Sequence, residues 1–411
     1  MGEDASTGAG APADTVRLES GQRPVDDLGP NDLGGYRVLG VLGRGGFGVV
    51  YLAEQLEPVR RRVAIKVIKP GMDSEAVVAR FNAERQALAV MDHPGIARVF
   101  DAGATPLGRP YFVMELVRGE PITAFASRHR LGLEARLRLF RRVCESVQHA
   151  HAKGVIHRDL KPSNILVEMI DGEASPKVID FGVAKAMDRR AVAETLLTER
   201  GQIMGTPEYM SPEQATAGAD VDTRSDVYSL GVVLYQLLTG KLPFDPQSLR
   251  SAGYAEIERI IREIDPPRPS TRIAASETDT LGARDGRALT RRLRRDLDWV
   301  VMRCLEKERD RRYQSPMHLA SEVDRYLRHE PVEAGPPSAT YRFAKFARRR
   351  RGLVAATAVV AGVLLLGVVG TSVGLVRETA QRHKAEIETA KLEQIATFAR
   401  TIFGGLDPAI A

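Results

Sequence analysis

Cysteine is scarce in this sequence: 411 residues contain two, Cys144 and Cys304, far apart along the chain. A disulfide-stabilised scaffold needs several cysteines at short spacing, so that class of protein is excluded. Both cysteines fall in segments with the apolar periodicity of amphipathic helices, which predicts buried thiols that do not act as nucleophiles. A reducing compartment is indicated for this part of the chain.

A large surplus of charge of one sign is also missing. The formal net charge is only +6, and the excess of basic residues is concentrated in two short runs, residues 291–295 and 348–351. A nucleic-acid-binding protein needs basic residues along one folded face with aromatic residues between them. The sequence has no such arrangement, so no nucleic-acid partner is predicted.

The first 30 residues lack an apolar run, which excludes the pattern of a secretory signal peptide there. Residues 1–33 are rich in glycine, alanine, proline and acidic residues, so they cannot bury enough apolar surface to offset the entropy lost on ordering. We predict a disordered leader. The whole chain is 43% hydrophobic and 27% charged, as in a globular protein with a sizeable core, and its length allows two or three domains.

The most informative stretch runs from Val155 to Val167 and reads VIHRDLKPSNILV. It places Asp159, Lys161 and Asn164 within five positions of one another, between two short apolar runs. A carboxylate, a cation and an amide this close together suit a reaction in which a hydroxyl group loses a proton beside a phosphate and a metal ion. A short stretch of this kind could arise by chance, so the interpretation depends on the other segments of the chain.

A glycine-rich segment lies near the start of the globular part. Gly43, Gly45 and Gly48 have the spacing G-x-G-x-x-G between two strand-like runs. In a dinucleotide-binding fold the last glycine opens a helix, whereas here Val49–Leu52 continues as a strand. A hairpin tip made of glycines can lie over phosphates and offer its N–H groups to them. A plain structural hairpin is the alternative.

Lys66 follows the apolar residues Val63–Ile65. A lysine on a buried strand is costly unless its charge is paired. The next segment, Ser74–Val90, has helical periodicity and carries Glu84 on the side predicted to face inward. Glu84 is therefore a candidate partner of Lys66. A solvated helix carboxylate is the alternative interpretation of Glu84.

Two further segments complete an ordered set: a strand, Lys177–Val183, that contains Asp-Phe-Gly, and Gly205–Glu213, in which Ser211-Pro-Glu stands where Ala-Pro-Glu is usual. With H-R-D-L-x-x-x-N and the glycine loop, they resemble the motifs of eukaryotic-like serine/threonine protein kinases of the bacterial membrane-anchored receptor type. The resemblance covers residues 36 to about 330. It implies an α+β fold with two lobes, an N-lobe of antiparallel sheet plus one helix and a mainly helical C-lobe, followed by a single transmembrane helix.

The resemblance implies catalytic roles for four residues. Asp159 would accept the proton of the substrate hydroxyl, and Lys161 would lie against the γ-phosphate. Lys66, paired with Glu84, would hold the α- and β-phosphates of ATP. The implied ATP-binding residues lie on the glycine loop, on the strands beside it and on the hinge between the lobes: Leu42, Gly43, Arg44, Gly45, Gly46, Phe47, Gly48, Val50, Ala64, Lys66, Met114, Glu115 and Val117.

The implied cofactors are ATP and Mg²⁺, with Mn²⁺ as an alternative, and the implied metal ligands are Asn164 and Asp180. Arg158 would contribute to a pocket for a phosphate on the activation loop, residues 183–204. In that loop Thr198 is the first candidate for autophosphorylation and Thr195 the second. The alternative is that either threonine is simply a solvent-exposed loop residue. A last group is implied to be structural: His157, Phe181, Glu213, Asp226 and Arg312.

Two features bear on the substrate class. Lys161, two residues after the catalytic aspartate, and Thr206, just before Pro-Glu, resemble serine/threonine kinases rather than tyrosine kinases. Thr206 would contact Asp159 and Lys161 and shape a pocket for a small hydroxyl residue. The predicted function is transfer of the ATP γ-phosphoryl group to serine and threonine hydroxyls of proteins, with autophosphorylation and transmembrane signalling. A pseudokinase scaffold is the rival interpretation, and retention of the catalytic and metal-binding residues argues against it.

A membrane segment is predicted at Leu353–Val376, 24 residues without a charge. At about 1.5 Å per residue it reaches about 36 Å, enough to span a bilayer with tilt. The arginines at 348–351 place its N-terminal side, and the kinase lobes, in the cytoplasm by the positive-inside rule. The prediction is therefore a single-pass protein of the cell (inner) membrane with an extracytoplasmic tail. Self-association is predicted through the kinase domain or through the G-x-x-x-G of Gly370–Gly374.

These predictions divide the chain into six segments: the leader 1–33, the N-lobe 34–117, the C-lobe 118–330, a Pro/Gly linker with a polybasic part 331–352, the transmembrane helix 353–376 and a helical tail 377–411.

Overall fold

The computed structural model describes eight stretches of the chain: residues 33–45, 48–68, 91–181, 206–216, 219–274, 289–290, 293–335 and 351–403. The chain divides into two compact units, Met1–Pro337 and Ser338–Ala411. The first unit contains a five-stranded sheet, a three-stranded sheet and most of the helices, and the second contains one long helix.

The N-terminal part of the first unit is an antiparallel sheet with the strand order β1-β2-β3-β5-β4. Its strands are β1 (Tyr36–Arg44), β2 (Gly48–Gln55), β3 (Arg61–Ile68), β4 (Val99–Ala104) and β5 (Pro110–Glu115). Strand β3 lies in the middle and is buried at each position after Arg62 except Lys66, which is half-buried. This location explains why its sequence is a nearly unbroken apolar run.

The two faces of this sheet pack into different cores. Tyr51, Ile65 and Val113 belong to a cluster of the N-lobe itself. Ile68 and Phe112 instead belong to the large core that continues into the helical part of the unit. Alternation of side chains along a strand produces this division, because neighbouring residues point to opposite faces. The helix predicted over residues 74–90 lies outside the described residues.

The C-lobe is mainly helical, as the sequence predicts. Its described helices are α1 (Ile122–Arg128), α2 (Leu133–Ala152), α3 (Pro212–Ala215), α4 (Thr223–Thr239), α5 (Pro246–Ser251), α6 (Tyr254–Glu263), α7 (Pro269–Ala274), α8 (Asp296–Cys304) and α9 (Pro316–Leu327). A small antiparallel sheet joins β6 (Glu120–Pro121), β7 (Ile165–Ile170) and β8 (Glu173–Val178) in that order.

Helix α4 is the centre of the C-lobe. Its residues from Ser225 to Leu238 are buried at every position but one, so it has almost no solvent-facing side. A helix that is apolar all round is typical of a core position. Asp222 caps its first turn by accepting the N–H of Arg224, and Gly240 ends it in the left-handed conformation with φ of 72°. A residue with a Cβ would be strained there, which is why glycine ends this helix.

The two cysteines are buried thiols, as predicted. Cys144 on α2 and Cys304 on α8 are inaccessible to solvent and form no disulfide. Burial raises the pKa of both thiols. They are therefore protonated at neutral pH and act as small apolar core residues.

The packed part of the first unit extends to residue 334, inside the segment predicted to be a linker. Glu322 on α9 is fully buried, and its carboxylate accepts the N–H groups of Glu333 at 3.0 Å and Ala334 at 2.9 Å. Val332 is also buried. These backbone contacts are long-range, so the apolar periodicity of α9 could not predict them.

The second unit is the helix α10 (Arg351–Phe403), 53 residues long. Within the described residues it is the one helix long and apolar enough to cross a membrane, by length and composition. The helix continues through the charged segment after Val376 without a break. The predicted span and the predicted outer helix are thus parts of one continuous helix.

Candidate active site

The polar residues of the loop between α2 and β7 form one hydrogen-bonded group. Lys161 Nζ lies 2.9 Å from Asp159 Oδ2. Asn164 Nδ2 donates to the backbone carbonyl of Asp159 at 2.8 Å and lies 3.3 Å from its Oδ2. A single helical turn at 162–164, begun by Pro162, turns the chain back so that Asn164 faces the aspartate. The loop therefore presents a carboxylate next to a cation.

The backbone of this loop is held by Asp226, in the first turn of α4. Its carboxylate is fully buried and accepts the N–H groups of His157 and Arg158, each at 2.8 Å. Arg158 has φ of 63°, a strained conformation for a residue other than glycine. Two charge-assisted hydrogen bonds at this point hold the strained backbone in place. Asp226 thus anchors the backbone of this loop.

His157 is packed in the interior of the fold. It is fully buried, its Nε2 lies 3.1 Å from the carbonyl of Ile179, and its ring lies 4.7 Å from that of Phe181. Its Nδ1 accepts the N–H of Asp159 at 3.3 Å. Burial lowers the pKa of this imidazole, so it is neutral at pH 7. The ring ties the loop to the segment that carries Asp180.

Lys66 and Asp180 are 114 positions apart and form an ion pair. Lys66 is carried by β3, and its side chain is only 12% exposed, so a counter-charge is needed there. Asp180 follows β8, with φ of 60°. The pairing links the N-lobe sheet to the C-lobe loop. Glu84, the partner predicted for Lys66, lies outside the described residues.

Asn164 and Asp180 are a suitable pair of ligands for a divalent cation. The backbone N–H of Ile179 donates to the carbonyl of Asn164 at 2.9 Å, which holds the two segments side by side. The amide nitrogen of Asn164 is engaged with Asp159, so its amide oxygen is the atom able to bind a cation. One carboxylate and one amide oxygen, completed by phosphate oxygens and water, are the hard ligands that Mg²⁺ prefers. No group of three or more His, Cys, Asp or Glu that could hold a metal ion occurs among the described residues.

The glycine loop joins β1 to β2. The N–H of Gly45 donates to the carbonyl of Gly48 at 2.9 Å and closes the hairpin. A Cβ at Gly48 would lie 2.2 Å from the carbonyl oxygen of Val67, so only glycine fits there. Gly46 and Phe47, at the tip, lie outside the described residues.

The register of the sheet brings the predicted nucleotide-binding side chains together. Val50 on β2 pairs with both Gly43 on β1 and Lys66 on β3. Ala64 on β3 pairs with Met114 on β5. Glu115 ends β5 and begins the connection to the C-lobe, and its carboxylate turns away to pair with Lys177 on β8. Leu42 and Arg44 lie near the end of β1, and Val117 follows β5.

A sequence comparison decides the family. A model of the protein kinase domain matches residues 36–323. This chain belongs to the protein kinase family. Serine/threonine-protein kinase Pkn1 of Myxococcus xanthus is 38% identical over 284 residues, which are 69% of this chain and 37% of that protein. Serine/threonine-protein kinase PknB of Mycobacterium tuberculosis is 36% identical over 304 residues, 73% of this chain and 44% of that protein.

A solved structure agrees with the family. The crystal structure of the Mycobacterium tuberculosis PknI kinase domain covers 73% of this chain and 99% of its own, with a TM-score of 0.52 and 27% sequence identity. The predicted two-lobed protein kinase fold is thereby confirmed. The matched parts make up between a third and about half of the curated relatives' length.

Thr206 is the first described residue after the predicted activation loop. Its Oγ1 lies 3.3 Å from Lys161 Nζ. Gln214 Nε2 donates to the carbonyl of Arg158 at 2.8 Å, and Ser211 and Gln214 form a capping box at the start of α3. The segment after the activation loop is thus attached to the catalytic loop at two points. Thr195 and Thr198 lie outside the described residues.

Glu213 and Arg312 form a largely buried ion pair. The guanidinium donates to both carboxylate oxygens, at 2.7 and 2.8 Å, and also to the carbonyl groups of Glu306 and Lys307. Burial acts to raise the pKa of Glu213, but the hydrogen bonds and charge of Arg312 outweigh it, so the pKa lies below its ordinary value. The carboxylate is therefore ionised and held to the arginine at neutral pH.

Sequence reasoning missed His151. No motif marks the histidines of α2, but His151 Nε2 lies 2.7 Å from Asp226 Oδ2, and both side chains are almost fully buried. Burial acts to raise the pKa of Asp226, while the hydrogen bond and charge of His151 lower it, and the net pKa lies below the ordinary value. His151 therefore helps to keep the Asp226 carboxylate ionised, and this carboxylate holds the loop of Asp159.

Acidification is expected to destabilise the kinase through Asp226. Because the folded-state pKa is lower than the value of about 3.9 for a free aspartate, the carboxylate stabilises the fold above that pH. This contribution is lost as the pH falls through the folded-state pKa. Urea unfolding of the full chain in detergent, followed by the fluorescence of Trp299, the single tryptophan, measures it. Asp226→Asn should be less stable at neutral pH but lose less stability on acidification; equal pH slopes for the two proteins would contradict this.

Proposed function

We propose that this chain is a serine/threonine protein kinase, which transfers the γ-phosphoryl group of ATP to serine and threonine hydroxyls of proteins. The observation that carries the proposal is the assembly of Asp159, Lys161, Asn164, Asp180 and Lys66 into one polar group, although Lys66 and Asp180 are 114 positions apart. The relatives named above are themselves named serine/threonine-protein kinases.

Asp159 is proposed to act on the substrate hydroxyl. The hydroxyl oxygen attacks the γ-phosphorus, the bond from that phosphorus to the β–γ bridging oxygen breaks, and the hydroxyl proton passes to the Asp159 carboxylate. The products are ADP and a phosphoprotein. Lys161, 2.9 Å from that carboxylate, is placed to offset the negative charge that develops on the transferring group.

Lys66, Asn164 and Asp180 are proposed to hold the nucleotide. Lys66 would bind the α- and β-phosphates, which requires it to share its charge between Asp180 and ATP. Asn164 and Asp180 would hold Mg²⁺, whose chemical contribution is to neutralise phosphate charge. The hinge from Glu115 to Val117 would bind the adenine edge through its backbone groups.

The choice of serine and threonine rests on the surroundings of Asp159. The contact between Lys161 Nζ and Thr206 Oγ1 places a small polar side chain beside the catalytic carboxylate. We propose that these surroundings admit a short hydroxyl side chain close to Asp159.

Label transfer tests the proposed function. The full chain, purified in detergent, is incubated with γ-labelled ATP, Mg²⁺ and a generic basic protein substrate, and the labelled amino acids are identified after acid hydrolysis. We expect phosphoserine and phosphothreonine. Absence of label on the chain and on the substrate, or equal labelling by Asp159→Asn, would refute the kinase and leave the pseudokinase scaffold.

We further propose that the kinase autophosphorylates its activation loop, with Thr198 as the first site and Thr195 as the second. Arg158 would bind the resulting phosphate, since it lies next to the catalytic aspartate and is held by Asp226. Phosphopeptide mapping of the active full chain tests this. If every labelled site lay outside residues 183–204, this proposal would be contradicted.

Membrane anchoring by α10 is proposed from its length and apolar composition. The full chain is expected to stay with membranes after extraction with carbonate at high pH, and to be released only by detergent. A variant with two arginines in place of Val363 and Val368, at the centre of the span, should be extracted by carbonate, because charges there are costly in hydrocarbon. Release of the unaltered chain by carbonate would contradict the proposal. Signalling across the membrane, with the tail outside, depends on this anchoring.

A further inference from the structure

Glu115 and Lys177 form an ion pair between two strands, β5, which leads into the hinge, and β8, which leads to Asp180. Glu115 ends β5, where the hinge begins, and Lys177 lies on β8, three residues before Asp180. They are 62 positions apart, and their side chains are only 27% and 13% exposed. Solvent screens such a sheltered pair less than a surface pair, so the attraction between its two charges is stronger.

The Glu115 carboxylate has a second partner. The backbone N–H of Arg98, just before β4, lies 3.3 Å from Oε2, while the N–H of Glu115 donates to the carbonyl of Arg98 at 2.8 Å. The carboxylate is therefore committed to Lys177 and Arg98. The Glu115 side chain is therefore engaged within the fold.

Lys177 lies on a strand that is already held on two sides. The N–H of Val178 donates to the carbonyl of Gly95 at 2.8 Å, and its own carbonyl accepts the N–H of Ala97 at 3.0 Å. The N–H of Ile179 donates to the carbonyl of Asn164. These bonds attach β8 to the segment before β4 and to the catalytic loop. The pair with Glu115 adds the connection from this strand to the hinge.

We propose that Glu115 and Lys177 are a positioning pair that sets the distance between the hinge, which would hold adenine, and Asp180, which would hold the metal of the bound nucleotide. Neither side chain touches the reacting atoms. The pair acts by aligning the two ends of one ATP molecule, and the inference rests on the proposed kinase function. Loss of this alignment should weaken nucleotide binding more than it slows the transfer step, because the loop that carries Asp159 is held by bonds that do not involve this pair: Asp226 accepts the N–H of Arg158, and Asn164 donates to the carbonyl of Asp159.

The test measures ATP affinity and turnover separately in the full chain in detergent. Lys177→Met is expected to raise the KM for ATP, and the Kd of a fluorescent ATP analogue, by about tenfold, with kcat lowered less than about threefold. Lys177→Arg should retain most of the affinity, because it keeps the charge. The exchanged pair Glu115→Lys with Lys177→Glu should recover part of the affinity that each single change loses. Arg141→Met is the matched control, since it breaks a half-buried pair with Glu145 on α2 and should leave the KM unchanged.

Three results would overturn the inference: an unchanged KM for ATP in Lys177→Met, a fall in kcat alone, or a rise in kcat, which would mean that the pair restrains the kinase. Failure of the proposed function is distinguishable from these results. If the unaltered chain transfers no phosphate, the fluorescent analogue still reports whether Lys177 sets nucleotide affinity, and a tenfold loss supports the positioning role.

Discussion

Replacing Asp159 by asparagine is expected to lower kcat by about a thousandfold and to leave the KM for ATP nearly unchanged. The amide has the size of the carboxylate but cannot accept the hydroxyl proton. It also has no negative charge to hold Lys161, whose Nζ lies 2.9 Å from Oδ2 in the kinase. ATP should still bind, because Lys66 and Asp180 are carried by β3 and by the segment after β8. Initial rates of label transfer over a range of ATP concentrations measure both quantities.

Asp171→Asn is the matched control for this change. Asp171 is exposed, in the turn between β7 and β8, and has φ of 50°, a conformation that asparagine tolerates as well as aspartate. It should keep the full rate. A rate for Asp159→Asn within a factor of about ten of the unaltered kinase would show that the loop does not supply the base. A matching loss of thermal stability would indicate that the loop had been disordered instead.

Replacing Arg312 by methionine is expected to destabilise the kinase by about 3–5 kcal/mol. Arg312 is 1% exposed, and its guanidinium donates to both oxygens of Glu213 and to three carbonyl groups. Its removal therefore leaves a largely buried carboxylate with Ser225 as its remaining described side-chain donor. The stability of a single domain is only about 5–15 kcal/mol, so this loss is a large share of it. Urea unfolding followed by Trp299 fluorescence gives the free energy.

Two companion variants show whether the buried charge causes the loss. Adding Glu213→Gln to Arg312→Met removes the uncompensated carboxylate and should restore part of the stability. Arg259→Met, which breaks the exposed pair with Glu256 on α6, should leave the unfolding midpoint unchanged. A double variant as unstable as the sum of the two single changes would show that the two residues do not act as a pair.

Much of the fold followed from short-range patterns. The strands around the glycine loop, the stripe of α2 and the apolar helix α4 were predictable, because strand and helix periodicities are visible within ten to twenty residues. The limits of the two units were less predictable from such patterns. The N–H groups of Glu333 and Ala334 are held by Glu322 from a different element, and α10 runs on through the charged segment after Val376. No local pattern marks either feature.

The sequence by itself determined the chemistry of the catalytic loop, since Asp159, Lys161 and Asn164 are so close along the chain that any compact turn brings them together. Only the tertiary structure decided the partners of the distant charges. The pairs Lys66 with Asp180, His151 with Asp226 and Glu115 with Lys177 join residues 114, 75 and 62 positions apart. A buried charge requires a partner of opposite sign, but which of many carboxylates lies within reach depends on how the strands and helices pack.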